Sequence, residues 1–304
     1  MEPGRLNGTA PVTAILAALP EEAAEVLGRL EGRTEAPLRP VPQGRGRGVG
    51  RSVALGRLAG RPVAVLVTGD GARNARQSVA ALLDAIPVSR LLLIGVAGGL
   101  TEGLSPGQII VAGEVVGEES GSRYRPEPNA AENAAAAIGA ERATVVTARR
   151  LVLTAAEKRR LWTGRGREAT SGVVDLESEA VVEAAEASGI PWLVLRAVSD
   201  AADESLPGFL AECSGPDGAI RRSAVLRHAL RHPWALPSLL LMCRRIDACG
   251  RALADAACEL LADETCELLA DETCELAGEK ASELLATGSR AGAAGGPTAW
   301  KVAG

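Results

Sequence analysis

The sequence predicts an α/β domain built on a largely parallel sheet. Three observations carry this: short Val-, Leu- and Ile-rich runs alternate with segments of helical apolar spacing, turn residues and acids punctuate the ends of those runs, and 304 residues are enough to bury a core without disulfides or metals. Val12 to Ala18 is the first strand, and Pro20-Glu21-Glu22 brings the proline and acids that open a helix. Residues 37 to 51, with repeated Pro, Gly and Arg, are expected to form an exposed loop. Ser52 to Leu58 and Pro62 to Thr68 read as a strand pair turned at Ala59-Gly60-Arg61, with Gly69-Asp70-Gly71 as the next tight turn. Ala75, Val79, Leu82, Leu83 and Ile86 fall at helical spacing, and Arg90 to Ile94 is a continuous apolar strand running into Gly95. Gln108 to Val116 and Ala143 to Leu153 are further strands, Ser178 to Ser188 a helix and Trp192 to Val198 a buried strand. The polar, Pro- and Ala-rich stretch from 117 to 140 is expected to be a loop with a surface helix.

Composition narrows the function. The formal net charge is -5 and the basic residues are dispersed, so no face is expected to track a nucleic-acid backbone. No run reaches the ~20 apolar residues of a membrane span, and the expectation is a cytoplasmic protein. The 6 cysteines include no Cys-x-x-Cys pair and argue for incidental or buried thiols rather than a metal centre. With aromatics at 2%, the core must be packed from aliphatic residues.

Beyond Leu206-Pro207 the texture becomes Arg- and Leu-rich, with helices expected from 222 to 256 interrupted by Pro233 and Pro237. Cys258-Glu-Leu-Leu-Ala-Asp-Glu-Thr265 then repeats from Cys266 and decays from Cys274. An eight-residue period drifts around a helix and gives a solvated tract rather than a stable apolar stripe. The expected organisation is an α/β domain over 10–205, a helical extension of that domain over 206–256 and a solvated or disordered tail over 257–304.

Ligands of open α/β sheets bind beyond the carboxyl ends of strands. Acids and glycines collect there: Pro20-Glu21-Glu22, Gly69-Asp70-Gly71, Gly95 to Leu100, Val174-Asp175-Leu176-Glu177-Ser178-Glu179 and Ser199-Asp200. Carboxylates converging on one rim are a site candidate, because burying them is costly unless they are used or paired. Singly, each acid also reads as a helix cap or a surface charge. His228 and His232 lie far from these motifs and read as surface or capping residues, and Trp234 with Leu236 and Leu239 to Leu241 reads as helix packing or a lipid-facing lobe.

Taken together, Ile-Leu-Ala-Ala-Leu-Pro-Glu-Glu (15 to 22), Thr-Gly-Asp-Gly-Ala-Arg-Asn-Ala (68 to 75), Gly-Val-Ala-Gly-Gly-Leu (95 to 100), Leu-Ser-Pro-Gly-Gln-Ile-Ile-Val (104 to 111), Val-Asp-Leu-Glu-Ser (174 to 178) and Leu-Arg-Ala-Val-Ser-Asp-Ala-Ala-Asp (195 to 203) resemble, in collinear order, the methylthioadenosine and S-adenosylhomocysteine nucleosidase branch of the purine nucleoside phosphorylase superfamily. The stretch from Leu206-Pro207 to Pro237 is similar to the hopanoid-associated subgroup, which removes adenine from adenosylhopane.

The resemblance implies a three-layer αβα domain around a mixed, largely parallel twisted sheet, no metal or organic cofactor, and a homodimer. It implies cleavage of an adenine nucleoside, from adenosylhopane or from the thioethers of methionine salvage. Asp200 would protonate or hydrogen-bond the purine N7, Glu22 would deprotonate the attacking water and Glu177 would hold the ribose hydroxyls. Leu176 would pack on the sugar, Ser199 would support Asp200, and Ala97, Gly98 and Val152 would line the base. Leu93 and Val96 stand where phosphorolytic members carry Arg and Ser, so water is favoured over phosphate as nucleophile, with Arg73 left as an alternative phosphate partner. A hopanoid substrate would bring peripheral membrane contact. A nucleoside sensor on the same fold is the non-enzyme alternative.

Overall fold

The computed structural model describes residues 11–38, 51–69, 71–163, 171–213, 215 and 222–263. Most of the expected 37–51 loop, Asp70, and the repeat and tail from 264 onward lie outside the described residues.

Strand β1 (Val12–Ala17) is apolar at nearly every position because both faces are covered. It leads into α1 (Pro20–Gly28), which starts at Pro20 with Glu21 and Glu22 in its first turn, and the Glu22 side chain accepts the Leu19 N–H at 2.9 Å. Strand β2 (Glu31–Leu38) is a correction: its mainly exposed edge positions hide the alternation that marks strands, and its end occupies the start of the expected loop. Next come β3 (Arg51–Leu58) and β4 (Arg61–Val67), which turn through Ala59 and Gly60, both at positive φ as a two-residue hairpin requires.

Helix α2 (Ala72–Ala85) matches its predicted span, and β5 (Val88–Gly99) runs past the expected Ile94 through the whole glycine segment. Between β6 (Ile109–Gly117) and β8 (Glu141–Thr147) lie the short β7 (Arg123–Tyr124) and α3 (Ala130–Ala137). Helix α3 is no surface decoration, since Ala131, Ala134 and Ala135 are buried. The expected strand to Leu153 stops at Thr147, and residues 148 to 153 lead instead into α4 (Ala155–Thr163), which the polar Glu-Lys-Arg-Arg run conceals. Strand β9 (Gly172–Asp175), α5 (Ser178–Ala187) and β10 (Trp192–Asp200) complete the α/β unit.

The strands form one mixed sheet in the order β10-β6-β8-β9-β5-β1-β4-β3-β2, with β7 on β6. Strands β4, β1, β5 and β10 pair in parallel, whereas the β2–β3–β4 margin and the β10–β6 and β5–β9 pairs are antiparallel. Because β10 pairs with β5 as well as β6, the segment β5-β9-β8-β6-β10 closes on itself. The sheet is therefore not open on that side, and closure packs the ends of β5, β9 and β10 together. Helices α2 and α5 cover one face.

The other face carries α1, α3 and α8 (Leu236–Ala262), a helix that follows α6 (Phe209–Cys213), α7 (Arg222–Arg231) and a 3-10 turn at Pro233–Ala235. Pro237 does not interrupt α8, because it sits in the first turn where its missing N–H is harmless. Part of the expected solvated tail is corrected: Ala257 and Leu260 are buried, so residues 257–262, which include the start of the first repeat copy, are core helix. Each buried leucine of this kind contributes about 1.5–3 kcal/mol, which makes α8 part of the αβα layers.

Candidate active site

Gly95, Gly98 and Gly99 at the end of β5 make the site physically possible. A Cβ on Gly95 would collide with the Arg196 guanidinium and approach Glu22 Oε1 to 3.0 Å; one on Gly98 would lie 3.2 Å from Asp200 Oδ2. These glycines leave room for charged side chains above the strand end. Gly95 and Gly98 are about 10 Å apart along an extended strand, which sets the scale of the site.

Glu22 is 4% exposed and held from two directions. Its Oε1 accepts the Val96 N–H and its Oε2 the Leu19 N–H, each at 2.9 Å. Burial pushes its carboxyl above the usual range, opposed by Arg196 and those backbone donors. Glu177 caps α5 and accepts the Gly71 N–H at 3.1 Å. Burial and then the neighbouring Asp175 push it up to about 8, against the pull of Gly71 and Arg196. At neutral pH the free site therefore holds Glu177 mostly protonated, able to donate as well as accept.

Arg196 lies near both Glu22 and Glu177 and favours their ionised forms, and it is the first residue that sequence reasoning missed. It is 2% exposed, and its Nη2 donates to Asp175 Oδ2 and, at 2.9 Å, to Ser178 Oγ. Asp175 also accepts from Thr147 Oγ1 at 2.9 Å and from the Ser178 N–H at 3.2 Å, so it is occupied as a structural anchor. Inside the apolar run Trp-Leu-Val-Leu-Arg-Ala-Val, an arginine flanked by buried residues was the available signal.

At the far end of the site Asp200 is 2% exposed and both its oxygens are engaged. Ser199 Oγ donates to Oδ1 and also contacts the Ala97 carbonyl at 3.2 Å, while Lys158 Nζ pairs with Oδ2. Lys158, wholly buried on α4, is the second residue missed.

Val152 and Leu176 pack with Leu100, Val146, Ala148 and Val174 in one small apolar cluster, and Val174 Cγ1 lies beside Gly98. The residues singled out from sequence thus gather at the ends of β5, β9 and β10. Leu93 is core and offers nothing to an anion, and Arg73 lies exposed in the first turn of α2. A cleft of about 490 Å³ beside this cluster is lined by Val152, Leu161, Arg150, Glu118 and Glu157 among others, but not by Glu22, Glu177 or Asp200. Among the described residues no group of three or more His, Cys, Asp or Glu side chains could hold a metal ion.

The closed mixed sheet gathers the carboxyls of Glu22, Glu177 and Asp200 at neighbouring strand ends, and this protein is an enzyme. Residues 12–231 match the Phosphorylase superfamily, and the chain belongs to it. Among curated relatives, the 5'-methylthioadenosine/S-adenosylhomocysteine nucleosidase of Geobacillus thermodenitrificans is 28% identical over 63% of this chain and 84% of its own length. That of Geobacillus kaustophilus is 29% identical over 63% and 85%. Two solved structures show the same fold: the Streptococcus pneumoniae nucleosidase with a transition-state inhibitor (TM-score 0.60, 19% identity, 82% of this chain and 98% of that one) and futalosine hydrolase of Helicobacter pylori (TM-score 0.59, 17%, 83% and 97%).

Proposed function

We propose that the protein hydrolyses the N-glycosidic bond of an adenine nucleoside, releasing adenine. The observation that carries this reading is the placing of Glu22 and Asp200 against Gly95 and Gly98 of one strand end, with Glu177 alongside. Asp200, which takes up a proton from solvent as the base binds, passes it to N7 as the C–N bond breaks, so the base leaves without negative charge. Positive charge then develops on the sugar. Glu22 meets it and takes a proton from the water that attacks the anomeric carbon, while Glu177 hydrogen-bonds the ribose hydroxyls and holds the sugar in place. Ser199 steadies Asp200, Leu176 packs on the sugar, and Ala97, Gly98 and Val152 line the base. Buried Leu93, and Val96 with its N–H committed to Glu22, leave phosphate few partners and favour water.

For the group at the ribose 5' position we propose an adenosyl lipid of the adenosylhopane kind. Support comes from the C-terminal helices, where Phe209, His228, His232 and Trp234 stack in a ladder next to exposed Trp234, Leu236, Leu240 and Leu241. Such a surface suits peripheral contact with a membrane; no helix among the described residues is long and apolar enough to cross one. The curated relatives favour a second reading, turnover of soluble methylthioadenosine and S-adenosylhomocysteine. The test is adenine release from adenosylhopane, methylthioadenosine and S-adenosylhomocysteine in parallel, with and without phosphate. Phosphate-independent release from adenosylhopane alone is expected; turnover of the thioethers moves the enzyme to the second reading, and strict phosphate dependence overturns hydrolysis.

A further inference from the structure

We infer that Lys158 is a positioning residue for the purine-facing acid: its ammonium holds Asp200 Oδ2 and the turn that follows, so that the carboxyl meets the base in one fixed orientation. The inference rests on the proposed nucleosidase reading of Asp200.

The first observation is the coordination of the ammonium. Lys158 Nζ donates to Asp200 Oδ2, to the Ala201 carbonyl and, at 3.0 Å, to the Glu204 carbonyl, so its three protons have three acceptors within one short segment. With Ser199 on Oδ1, the carboxyl cannot rotate without breaking a buried bond. The same turn is tied by the Glu204 N–H to the Ala201 carbonyl at 3.1 Å and by Arg245 of α8 to Glu204. A lysine that only stabilised α4 against the sheet would not need all three bonds on the residues that follow the reactive strand end.

The second observation is compositional. Of 33 Lys and Arg residues three are lysines, and Lys280 and Lys301 lie in the C-terminal tract beyond 263. Throughout the described fold the cation is arginine except at this fully buried position. An ammonium is a compact point charge that can sit among three converging oxygens, whereas a guanidinium is a planar fork too large for that pocket. The charged and titratable groups facing Asp200 are Lys158 from α4 and Cys249 from α8, whose thiol burial pushes up and which donates to the Val198 carbonyl.

The test compares wild type, K158M, K158R, D200N and K158M/D200N in steady-state and single-turnover base release over pH, with melting temperature recorded for each. K158M is expected to lose about 100-fold in kcat with little change in KM, because the acid is mispositioned rather than the substrate unbound. K158R should recover little of the rate, because a planar guanidinium does not fit among the three converging oxygens. In the D200N background the lysine should become dispensable, with K158M/D200N matching D200N; this pair keeps the test decisive if K158M, with its uncompensated buried carboxylate, does not fold. A kcat that tracks only the folded fraction, or a further loss in the double variant, overturns the inference and leaves the nucleosidase reading standing. A wild-type enzyme that releases no base overturns both.

Discussion

Val96 donates its backbone N–H to Glu22 Oε1 at 2.9 Å, joining the end of β5 to the first turn of α1. A backbone donor cannot move away as a side chain can, so the Glu22 carboxyl is held in one orientation at that strand end.

Glu22→Gln is therefore expected to lower kcat about 10²–10⁴-fold, the usual range for a lost general base. Stability should fall by about 1–3 kcal/mol, since the amide nitrogen would face the Val96 or Leu19 N–H and leave a buried donor without an acceptor. Single-turnover adenine release alongside thermal unfolding checks both; a rate near wild type would place the base elsewhere.

Glu177 links stability to pH. Its carboxyl is raised from 4.5 to about 8 by burial and Asp175, so between these values the unfolded chain has released a proton that the native state keeps. Its contribution to stability is full below about pH 4.5 and is lost as pH rises through about 8. Glu177→Gln should flatten this part of the stability curve, measured as urea midpoints from pH 5 to pH 9. An unchanged slope would show that Glu177 ionises normally.

Gly95→Ala forces a methyl group into the Arg196 guanidinium, which is fixed by Asp175 and Ser178. A loss of about 1–3 kcal/mol is expected from overpacking, together with lowered kcat as Arg196 shifts from Glu22. Gly113→Ala is the control, because its nearest neighbour would be the Ala143 carbonyl at 3.9 Å. Chemical denaturation should separate the two; equal stability would mean Arg196 has room to retreat.

Leu253→Ala tests the place of α8. Leu253 is wholly buried in the layer that α8 shares with α1 and the sheet. A cost of about 2–5 kcal/mol is expected within a single unfolding transition. A separate early transition would instead show α8 to be an independent appendage.

The local code of this chain decided most of its elements. Helix α2 is legible because Ala75, Val79 and Leu82 recur on one face, and β1, β5 and β10 because strands covered on both faces read as apolar runs. The acids Glu22, Glu177 and Asp200 were also legible, since carboxyls at the ends of such runs stand out. Only the tertiary structure decided their partners. Strand β2 carries no apolar alternation and exists through its pairing with β3. Arg196 binds Asp175 and Lys158 binds Asp200 across 21 and 42 residues of sequence. Hydrophobic periodicity is a property of neighbours along the chain, whereas compensation of a buried charge depends on which strand ends the closed sheet brings together, and no local pattern encodes that.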